Sequence, residues 1–521
     1  MTKEPHSNAY NAAKLPVELT KDYDVIVIGS GAGGASSAEI FATSGLRVLI
    51  LEEGPYRTHK DFTLHEADAY PDLYQEVAAR KTVSKGVTIL QGRTVGGSTT
   101  VNWTSSFRTP NQVLEHWQRE FGLKQLTTTE LNPWFNQIEQ DLSVAPWAIP
   151  PNANNSVLQT GCDALGYSSK IIPRNVKGCA NLGYCGMGCP INAKQSMLVT
   201  AIPNALDAGA KIISRARAHR LLFKGSKIQA VEVQALDDTG RAISNYQPIK
   251  FKAKHFVLSA GAIGSPSILL RSKIPDPNNL IGKRTFLHPT IGSAALMPQI
   301  VDGFQGAPQS VYSDEFLWRD GVQGEVGYKL EIPPIHPLLS STLMPGFGPE
   351  HRDLMNQFRH FQVIIALLRD GFNPEDNGGE VQLNSDGYPM LDYQLSKPFW
   401  RAARHSMAAM AEIQFAAGAK QVMPVHQQGS LAYNFKSYQQ KLLKLPFEAL
   451  QLNIFSAHVM GGCAMGSEPD NAVVDDLGNA YQMENLSVID GSMLPTSLGV
   501  NPQLTLYALA RRCATNLVKV I

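Results

Sequence analysis

Long apolar runs and an excess of charge are both missing from this 521-residue sequence. No stretch of about 18 apolar residues occurs, so we expect no membrane-spanning helix. Lys and Arg number 46 against 45 Asp and Glu, a formal net charge of +1, so we expect no charge-driven binding of nucleic acid or of an anionic membrane. With 43% hydrophobic residues the composition is that of a globular protein, and the length predicts two domains.

Export signals and cysteines are also scarce. Residues 1–22 lack the apolar core of a secretory signal and the twin arginines of a folded-export signal. We therefore expect a cytoplasmic protein, either free or peripheral to a membrane. Six cysteines in this length do not make a disulfide framework, so most are expected to be free thiols in a reducing compartment.

A glycine-rich loop near the start of the chain predicts a dinucleotide site. Residues 25–28 (VIVI) are apolar and β-branched, as is typical of a strand buried on both faces. Gly29, Gly31 and Gly34 follow at G-x-G-x-x-G spacing, which suits a tight turn, a close approach to a pyrophosphate and close packing of a helix on the strand. The small residues 35–38 can begin that helix, whose N-terminal amides would face the phosphates.

A carboxylate completes this pattern. A second strand is predicted over residues 47–51 and ends at Glu52, 23 residues after Gly29. A carboxylate at this position accepts hydrogen bonds from ribose hydroxyls and repels a 2′-phosphate. The pattern admits both NAD and FAD. A second G-x-G-x-x-G, which would favour a flavoprotein that also binds NADH, is missing.

Four blocks spread along the sequence decide between these cofactors. GRTVGGSTTVNW begins at Gly92, FVLSAGAIGSPSILLRS begins at Phe256, AHVMGGCAMG contains His458, and SVIDGSMLPTSLGVNPQLTLYALA contains Asn501. In this order the blocks resemble the two signatures and the catalytic region of the glucose–methanol–choline (GMC) oxidoreductase family. The resemblance runs from one end of the chain to the other and implies FAD. Single motifs are similar to those of long-chain alcohol oxidases and cholesterol oxidases.

The resemblance also implies which residues hold the FAD. The backbone of Gly96, Gly97 and Ser98 is implied to run alongside the flavin. Asn102 is implied to contact the flavin, and Ala218 to offer its backbone to the adenine. The full implied set is Gly29, Gly31, Gly34, Glu52, Arg93, Gly96, Gly97, Ser98, Asn102, Ala218, Ala260, Asp490 and Gly491. Some relatives carry the flavin on a histidine in the first signature. The corresponding stretch here contains none, which implies non-covalent FAD.

Two side chains are candidates for the chemistry on an alcohol. Removing a hydride from its carbon needs a base for the hydroxyl proton, and histidine is the side chain most easily tuned as a base near neutral pH. The resemblance places His458 in this role, with the flavin as hydride acceptor. Asn501 occupies the second position of the family's pair and is implied to position the substrate oxygen through a hydrogen bond.

Asn501 also has a structural interpretation. Asn501, then Pro502, then a helical pattern is typical of a helix N-cap followed by proline at the first helical position. In that case the Asn501 side chain caps the backbone of Leu504 or Thr505. The two interpretations are compatible in part, because the N-terminus of such a helix would help to stabilise an anionic reduced flavin.

Three cysteines lie close together in a glycine-rich stretch, at Cys179, Cys185 and Cys189, with Pro190 after the last. The closing C-x3-C-P is similar to ferredoxin spacing, so an iron–sulfur cluster with three local ligands is one hypothesis. The spacing resembles the flavin subunit of certain bacterial glucose dehydrogenases, which contains a cluster. It also resembles long-chain alcohol oxidases, which imply none. The third interpretation is a compact loop of free thiols, or one disulfide in the purified protein, and we predict no other metal site.

For the fold we predict an α/β protein with a Rossmann-like FAD-binding domain of GMC type and an interleaved α+β substrate domain built on an antiparallel sheet. The FAD-binding domain is expected from residues 20–110, 165–290 and 450–521, and the substrate-binding and cap regions from residues 111–164 and 291–449. Strand-like alternation from residue 379 and a helix around residues 400–417 belong to the latter.

Three functions remain open on this evidence. The leading hypothesis is FAD-dependent oxidation of a fairly hydrophobic alcohol to an aldehyde or ketone, with oxygen, a quinone or a protein carrier as electron acceptor. The second is the flavin subunit of an electron-transferring dehydrogenase complex, with an iron–sulfur cluster and sugars as an example of its substrates. The third is a non-redox enzyme similar to the hydroxynitrile lyases of the family.

Overall fold

The apolar runs of the sequence form two large sheets in the computed structural model, which describes residues 6–16, 19, 22–244 and 247–521. Residues 20 and 21, where the first predicted domain segment starts, lie outside the described residues.

The helices and strands follow one another in mixed order along the chain. The α-helices of the described residues are α1 (Ala32–Thr43), α2 (Glu66–Leu73), α3 (Asn111–Glu120), α4 (Thr128–Asp141), α5 (Ala153–Leu165), α6 (Ala201–Asp207), α7 (Gly261–Ser272), α8 (Pro337–Leu343), α9 (Gly348–Met355), α10 (Lys397–Ala416), α11 (Phe435–Leu442) and α12 (Gln503–Leu517). The strands are β1 (Ala9–Asn11), β2 (Tyr23–Ile28), β3 (Val48–Leu51), β4 (Arg80–Lys81), β5 (Val87–Ile89), β6 (Val144–Pro146), β7 (Lys170–Ile171), β8 (Pro173–Asn175), β9 (Lys211–Ser214), β10 (Ala216–Lys224), β11 (Lys227–Ala235), β12 (Ile249–Phe251), β13 (Ala253–Leu258), β14 (Phe286–Leu287), β15 (Thr290–Leu296), β16 (Val311–Ser313), β17 (Tyr328–Glu331), β18 (Phe361–Leu368), β19 (Glu380–Leu383), β20 (Pro389–Asp392), β21 (Gln421–Pro424), β22 (Ile454–Ser456), β23 (Val459–Met460) and β24 (Leu486–Val488).

A parallel six-stranded sheet contains the predicted nucleotide-binding strands. Its order is β1-β9-β3-β2-β13-β24, and every neighbouring pair is parallel. Every residue of β2 and β3 is buried, as expected of parallel strands that are covered on both faces. The strands predicted at residues 25–28 and 47–51 are confirmed. Helix α1 begins at Ala32, three residues before the predicted start.

A nine-stranded sheet supplies the second layer. Its order is β4-β5-β22-β15-β18-β17-β16-β7, with β21 paired to β15, and all its pairs are antiparallel except β5 with β22. Helices α5 and α10 pack together, and α10 lies against β15 and β18. The predicted antiparallel sheet and the helix near residues 400–417 are therefore confirmed. The strand-like sequence from residue 379 forms a separate hairpin, β19–β20, which packs on α7 instead of joining this sheet.

Two hydrophobic cores correspond to the two sheets. The nine-stranded sheet nevertheless takes β4, β5, β7 and β22 from segments that we assigned to the FAD-binding domain. The two layers thus share strands across the predicted boundaries, and the division into domain segments stays a prediction.

Backbone contacts that leave no room for a side chain hold the glycine loop against the parallel sheet. A Cβ added to Gly29, which has a φ of +102°, would lie 2.1 Å from the carbonyl oxygen of Ser259. A Cβ added to Gly34 would lie 2.0 Å from the carbonyl oxygen of Gly29. These approaches place the first turn of α1 directly beside the ends of β2 and β13.

Candidate active site

A cavity of about 870 Å³ lies where the carboxyl ends of the parallel strands meet the nine-stranded sheet. Ile28, Leu51 and Ser259, at the ends of β2, β3 and β13, line it from one side. Thr290 and Leu367, on β15 and β18, line it from the other. The edge formed by the carboxyl ends of parallel strands is where α/β sheets bind ligands.

Most of the residues predicted from the sequence meet at this cavity. Those in its lining are Gly29, Gly31, Glu52, Arg93, Gly97, Ser98, Asn102, Ala218, Ala260, His458, Asp490, Gly491 and Asn501. Gly34 and Gly96 lie outside the lining. Gly34 packs against the backbone of Gly29, and the Gly96 N–H donates to Ser30 Oγ at 3.0 Å.

The N-terminus of α1 faces the cavity through Gly31, Ala32 and Gly33. A Cβ added to Gly31 would meet no atom closer than the Cα of Gly97, at 3.9 Å, whereas a Cβ on Gly33 would lie 1.9 Å from the carbonyl oxygen of Ile489. Gly33 is therefore required by packing, and Gly31 leaves open space in front of the helix amides. Unpaired amides at a helix N-terminus suit a pyrophosphate.

Glu52 and Arg93 supply charged groups beside this loop. Glu52 Oε2 accepts hydrogen bonds from the N–H of Ser30 at 3.0 Å and from its hydroxyl at 2.6 Å, and Oε1 accepts from the N–H of Gly54 at 2.8 Å. Burial raises the pKa of Glu52. A carboxylate oxygen accepts two hydrogen bonds, so Oε1 can take a second one from a ribose hydroxyl. Arg93 Nε is buried without a hydrogen-bond partner among the described residues, which fits a ligand with acceptor atoms such as FAD.

A hydrogen bond from Asn102 connects the GRTVGGSTTVNW segment to helix α12. Asn102 Nδ2 donates to Gln503 Oε1 at 2.7 Å, and Gln503 Nε2 donates to the carbonyl oxygen of Ser105 at 2.8 Å. Gln503 is the first residue of α12 and lines the cavity. Gln503 was not predicted from the sequence, because its only signal there is its position two residues after Asn501.

Asp490 joins β24 to α7. Its Oδ2 accepts hydrogen bonds from Gly261 N at 2.8 Å and Ser265 Oγ at 2.6 Å, and its Oδ1 accepts from the N–H and hydroxyl of Ser492 at 2.7 and 2.5 Å. These four bonds occupy the four acceptor sites of the carboxylate. The carboxylate therefore has no free acceptor site, which favours a cofactor contact through the backbone of Asp490 and Gly491.

His458 is half-buried and is paired with the fully buried His288. The N–H of Gly499 donates to Nε2 of His288 at 2.9 Å, and Nδ1 of His288 lies 2.9 Å from Nδ1 of His458. Because an N–H only donates, Nε2 of His288 accepts, and a neutral His288 carries its proton on Nδ1. That proton points to Nδ1 of His458, so a neutral His458 carries its own proton on Nε2.

Both histidines are uncharged near neutral pH. Removal from solvent is the main cause that lowers the pKa of His458 to about 3, and the charge of the nearby Lys329 is the second cause. Burial is also the main cause that holds the pKa of His288 well below its ordinary value. His288 has no sequence signal of its own, since it is one of 13 histidines and lies 170 residues from its partner.

Asn501 does not cap α12. The N-cap of that helix is Pro502, and no side-chain capping hydrogen bond is present there. Asn501 Oδ1 instead accepts from Lys329 Nζ at 2.5 Å, and Asn501 Nδ2 lies 3.5 Å from Glu331 Oε2. The capping interpretation is thus wrong, because a buried ammonium on β17 competes for the Asn501 oxygen.

The same regions of the chain match known families. Two domain profiles described as GMC oxidoreductase match residues 70–290 and 374–510, and a profile described as FAD binding domain matches residues 24–67. An uncharacterized GMC-type oxidoreductase of Mycobacterium tuberculosis is 31% identical, over 99% of this chain and 80% of that protein. The chain belongs to the GMC oxidoreductase family. It is an FAD-dependent oxidoreductase, as the resemblance implied.

Relatives of this GMC oxidoreductase include proteins with named activities. A long-chain-alcohol oxidase of Arabidopsis thaliana is 28% identical, over 96% of this chain and 69% of that protein. Among solved structures, a formate oxidase of Aspergillus oryzae has a TM-score of 0.71 at 14% identity, covering 96% of this chain and 98% of that one. A pyridoxine 4-oxidase from Mesorbium loti has a TM-score of 0.68 at 17% identity, covering 95% and 98%. These two structures show the shared fold.

The cysteine loop of this GMC oxidoreductase is not assembled as a metal site. All six cysteines are free, and the described residues contain no group of three or more His, Cys, Asp or Glu side chains that could hold a metal ion. The iron–sulfur hypothesis for Cys179, Cys185 and Cys189 is therefore not supported. Lys194 instead joins the loop to the first signature, because its Nζ donates to the carbonyl oxygens of Cys185 at 2.7 Å and Asn102 at 3.0 Å.

None of the helices in the described part of this GMC oxidoreductase has the length and apolar character that crossing a membrane requires.

Gly31→Ala is expected to weaken FAD binding by about 10- to 100-fold, the equivalent of roughly 1–3 kcal/mol of overpacking against the bound cofactor. Its thermal unfolding without FAD should change little, because the nearest atom to the added methyl is the Cα of Gly97, at an ordinary contact distance of 3.9 Å. FAD titration by fluorescence quenching and thermal unfolding of the flavin-free protein measure the two effects.

Two glycine variants serve as controls for this experiment. Gly45→Ala, in open space at the end of α1, should leave FAD affinity unchanged. Gly34→Ala should lower the midpoint of thermal unfolding, because its methyl overlaps the carbonyl of Gly29. Wild-type FAD affinity in Gly31→Ala would contradict the placement of the cofactor beside this residue.

Proposed function

We propose that this GMC oxidoreductase oxidises the CH–OH group of a fairly hydrophobic primary or secondary alcohol to an aldehyde or ketone. The observation that carries the proposal is the presence of His458 and Asn501 in the cavity that also contains the glycine loop. Apolar side chains of Ile365, Leu367 and Phe455 line the same cavity, which suits a substrate with an apolar chain. The similarity to long-chain-alcohol oxidases supports the same substrate class.

We infer that the cavity holds FAD without a covalent bond. The N-terminus of α1 would bind the pyrophosphate, Glu52 the ribose, and Gly97 and Ser98 the flavin. When bound, FAD supplies the acceptor for the hydride of the alcohol carbon. We further propose residues 20–110, 165–290 and 450–521 as the segments of the FAD-binding domain.

His458 is proposed to contact the hydroxyl oxygen of the alcohol. The base role predicted from the sequence requires an Nε2 without a proton. The hydrogen bonds of Gly499 and His288 favour a proton on Nε2, and in that state His458 donates a hydrogen bond to the oxygen. Both roles place His458 at the hydroxyl group of the alcohol. A substitution can distinguish them, because a glutamine side chain can donate a hydrogen bond but cannot act as a base.

Asn501 is proposed to position the same oxygen. Its side chain is buried, lines the cavity and comes from the segment just before α12. A positioned hydrogen bond of this kind is worth about 10²-fold in rate. The Asn501→Ala variant should therefore reduce the bound flavin about 10²-fold more slowly and still bind FAD.

The alternative functions differ from this proposal in observable ways. A dehydrogenase subunit with an iron–sulfur cluster is not favoured, because the described residues contain no candidate metal group. A lyase would convert its substrate without reducing the flavin. Oxygen, a quinone and a protein carrier remain as the electron acceptors to be tested.

Anaerobic mixing of the FAD-loaded protein with alkanols, sterols, aromatic alcohols and sugars tests the proposed function. We expect long-chain alkanols or other apolar alcohols to bleach the absorbance of the oxidised flavin, with one aldehyde or ketone formed per flavin. Unchanged flavin absorbance with every alcohol would contradict the proposal. Turnover of a cyanohydrin under the same conditions would then indicate the lyase.

His458→Ala is expected to abolish flavin reduction by the alcohol while FAD stays bound. His458→Gln distinguishes the two roles. A donor role predicts that the glutamine variant reduces its flavin clearly faster than the alanine variant, and a base role predicts that both are equally slow. Stopped-flow flavin reduction measures the rates. A near-normal rate in His458→Ala would rule out both roles.

The rate constant for flavin reduction is expected to show no titration of His458 between pH 5 and 7. The pKa of His458 is lowered from 6.5 to about 3, so the residue is uncharged across this range and takes up a proton only in stronger acid. The measurement is stopped-flow reduction at saturating alcohol. An inflection near pH 6.5 that disappears in His458→Gln would contradict the lowered pKa.

A further inference from the structure

A fully buried lysine lies directly behind the proposed substrate contacts. Lys329 is on β17, and neither its side chain nor that of Glu331, two residues along the same strand, is exposed. Buried charges of this kind are costly, and a protein retains them where they are paired and hydrogen-bonded. The neighbours of the Lys329 ammonium therefore indicate what it is retained for.

Three acceptors surround the ammonium group. Lys329 Nζ lies 2.7 Å from Glu331 Oε1, 2.5 Å from Asn501 Oδ1 and 3.7 Å from the centre of the Phe107 ring. Asn501 Oδ1 accepts a hydrogen bond from the ammonium, Glu331 Oε1 pairs with it by charge without a hydrogen bond of its own, and the Phe107 ring lies on a third side. Glu331 is fixed in turn by Gln309, whose Nε2 donates to Oε2. The lysine is thus held by the strand, an aromatic ring and a carboxylate, and it presents one hydrogen to Asn501.

This contact determines which way the Asn501 amide faces. An ammonium only donates, so the Asn501 atom next to Lys329 Nζ is the oxygen, and the NH2 group occupies the opposite side of the amide. Glu331 Oε2, at 3.5 Å from Nδ2, can take at most one of the two hydrogens of that group. The other hydrogen is available to a ligand in the cavity that Asn501 lines.

We propose that Lys329 is a positioning residue, which holds the Asn501 amide so that its NH2 group meets the oxygen of the alcohol. This inference rests on the proposed function. With the amide reversed, the Asn501 oxygen would face the alcohol oxygen, whose negative charge grows as the hydroxyl proton is lost and falls again as the hydride leaves the carbon. With the observed orientation, the Asn501 NH2 group donates to that oxygen and stabilises its negative charge, while the hydroxyl proton passes to His458 in the base role or to water in the donor role.

A double-mutant cycle tests the proposal in the FAD-loaded protein. Lys329→Met with Glu331→Gln removes the ion pair without leaving a lone buried charge. We expect this pair of substitutions to slow flavin reduction at saturating alcohol about 10- to 100-fold, with little change in the alcohol concentration that gives half the maximal rate. In the Asn501→Ala background the same two substitutions should lower the rate of flavin reduction by less than about 3-fold, because the amide that Lys329 orients is missing.

Equal losses in both backgrounds would overturn the positioning role, and so would a wild-type rate in the Lys329→Met/Glu331→Gln variant. Lys329→Gln/Glu331→Gln keeps a neutral donor toward Asn501 and should be faster than the methionine variant, whereas equal rates would also overturn the proposal. If the Lys329→Met/Glu331→Gln protein does not retain FAD, the Lys329→Gln/Glu331→Gln variant is used in the cycle instead. No flavin reduction by alcohols in the wild-type protein would instead indicate failure of the proposed function.

Discussion

The four hydrogen bonds that converge on the carboxylate of Asp490 are the interaction on which the site depends. Two of them, from Gly261 and Ser265, fasten the end of β24 to α7, and the two from Ser492 close the turn that follows β24. The chain then runs to Asn501, which Lys329 binds from the nine-stranded sheet. The short segment between them is therefore tied to both layers. This explains how a glycine loop at residue 29 and an amide at residue 501 come to line one cavity.

Buried polar groups within the cavity wall are oriented by other buried groups. The amide of Gly499 determines the proton position on His288, His288 determines it on His458, and Lys329 determines the orientation of Asn501. The Gly499 amide and the Lys329 ammonium only donate, and a neutral His288 donates from Nδ1 because its Nε2 accepts, so each contact leaves one arrangement of hydrogens. Under the proposed function this wall would present donors to the oxygen of the alcohol, whereas the resemblance implies a base role for His458.

The parts that sequence could predict are those with local patterns. The strands around Gly29, the helix start and Glu52 follow from hydrophobic periodicity and glycine spacing within about 30 residues. Lys329 and His288 could not be found in this way, because their partners lie 172 and 170 residues away and no periodic pattern connects them. The N-cap interpretation of Asn501 failed for the same reason, since a distant ammonium outcompeted the local backbone.

The most direct test is a crystal structure of the FAD-loaded protein, with the flavin kept reduced, bound to the long-chain alcohol that best bleaches it. The account predicts that the alcohol oxygen lies within hydrogen-bonding distance of both His458 Nε2 and Asn501 Nδ2. It also predicts that Asn501 Oδ1 remains on Lys329 Nζ. An alcohol oxygen bound elsewhere in the cavity, with neither side chain in contact, would contradict it.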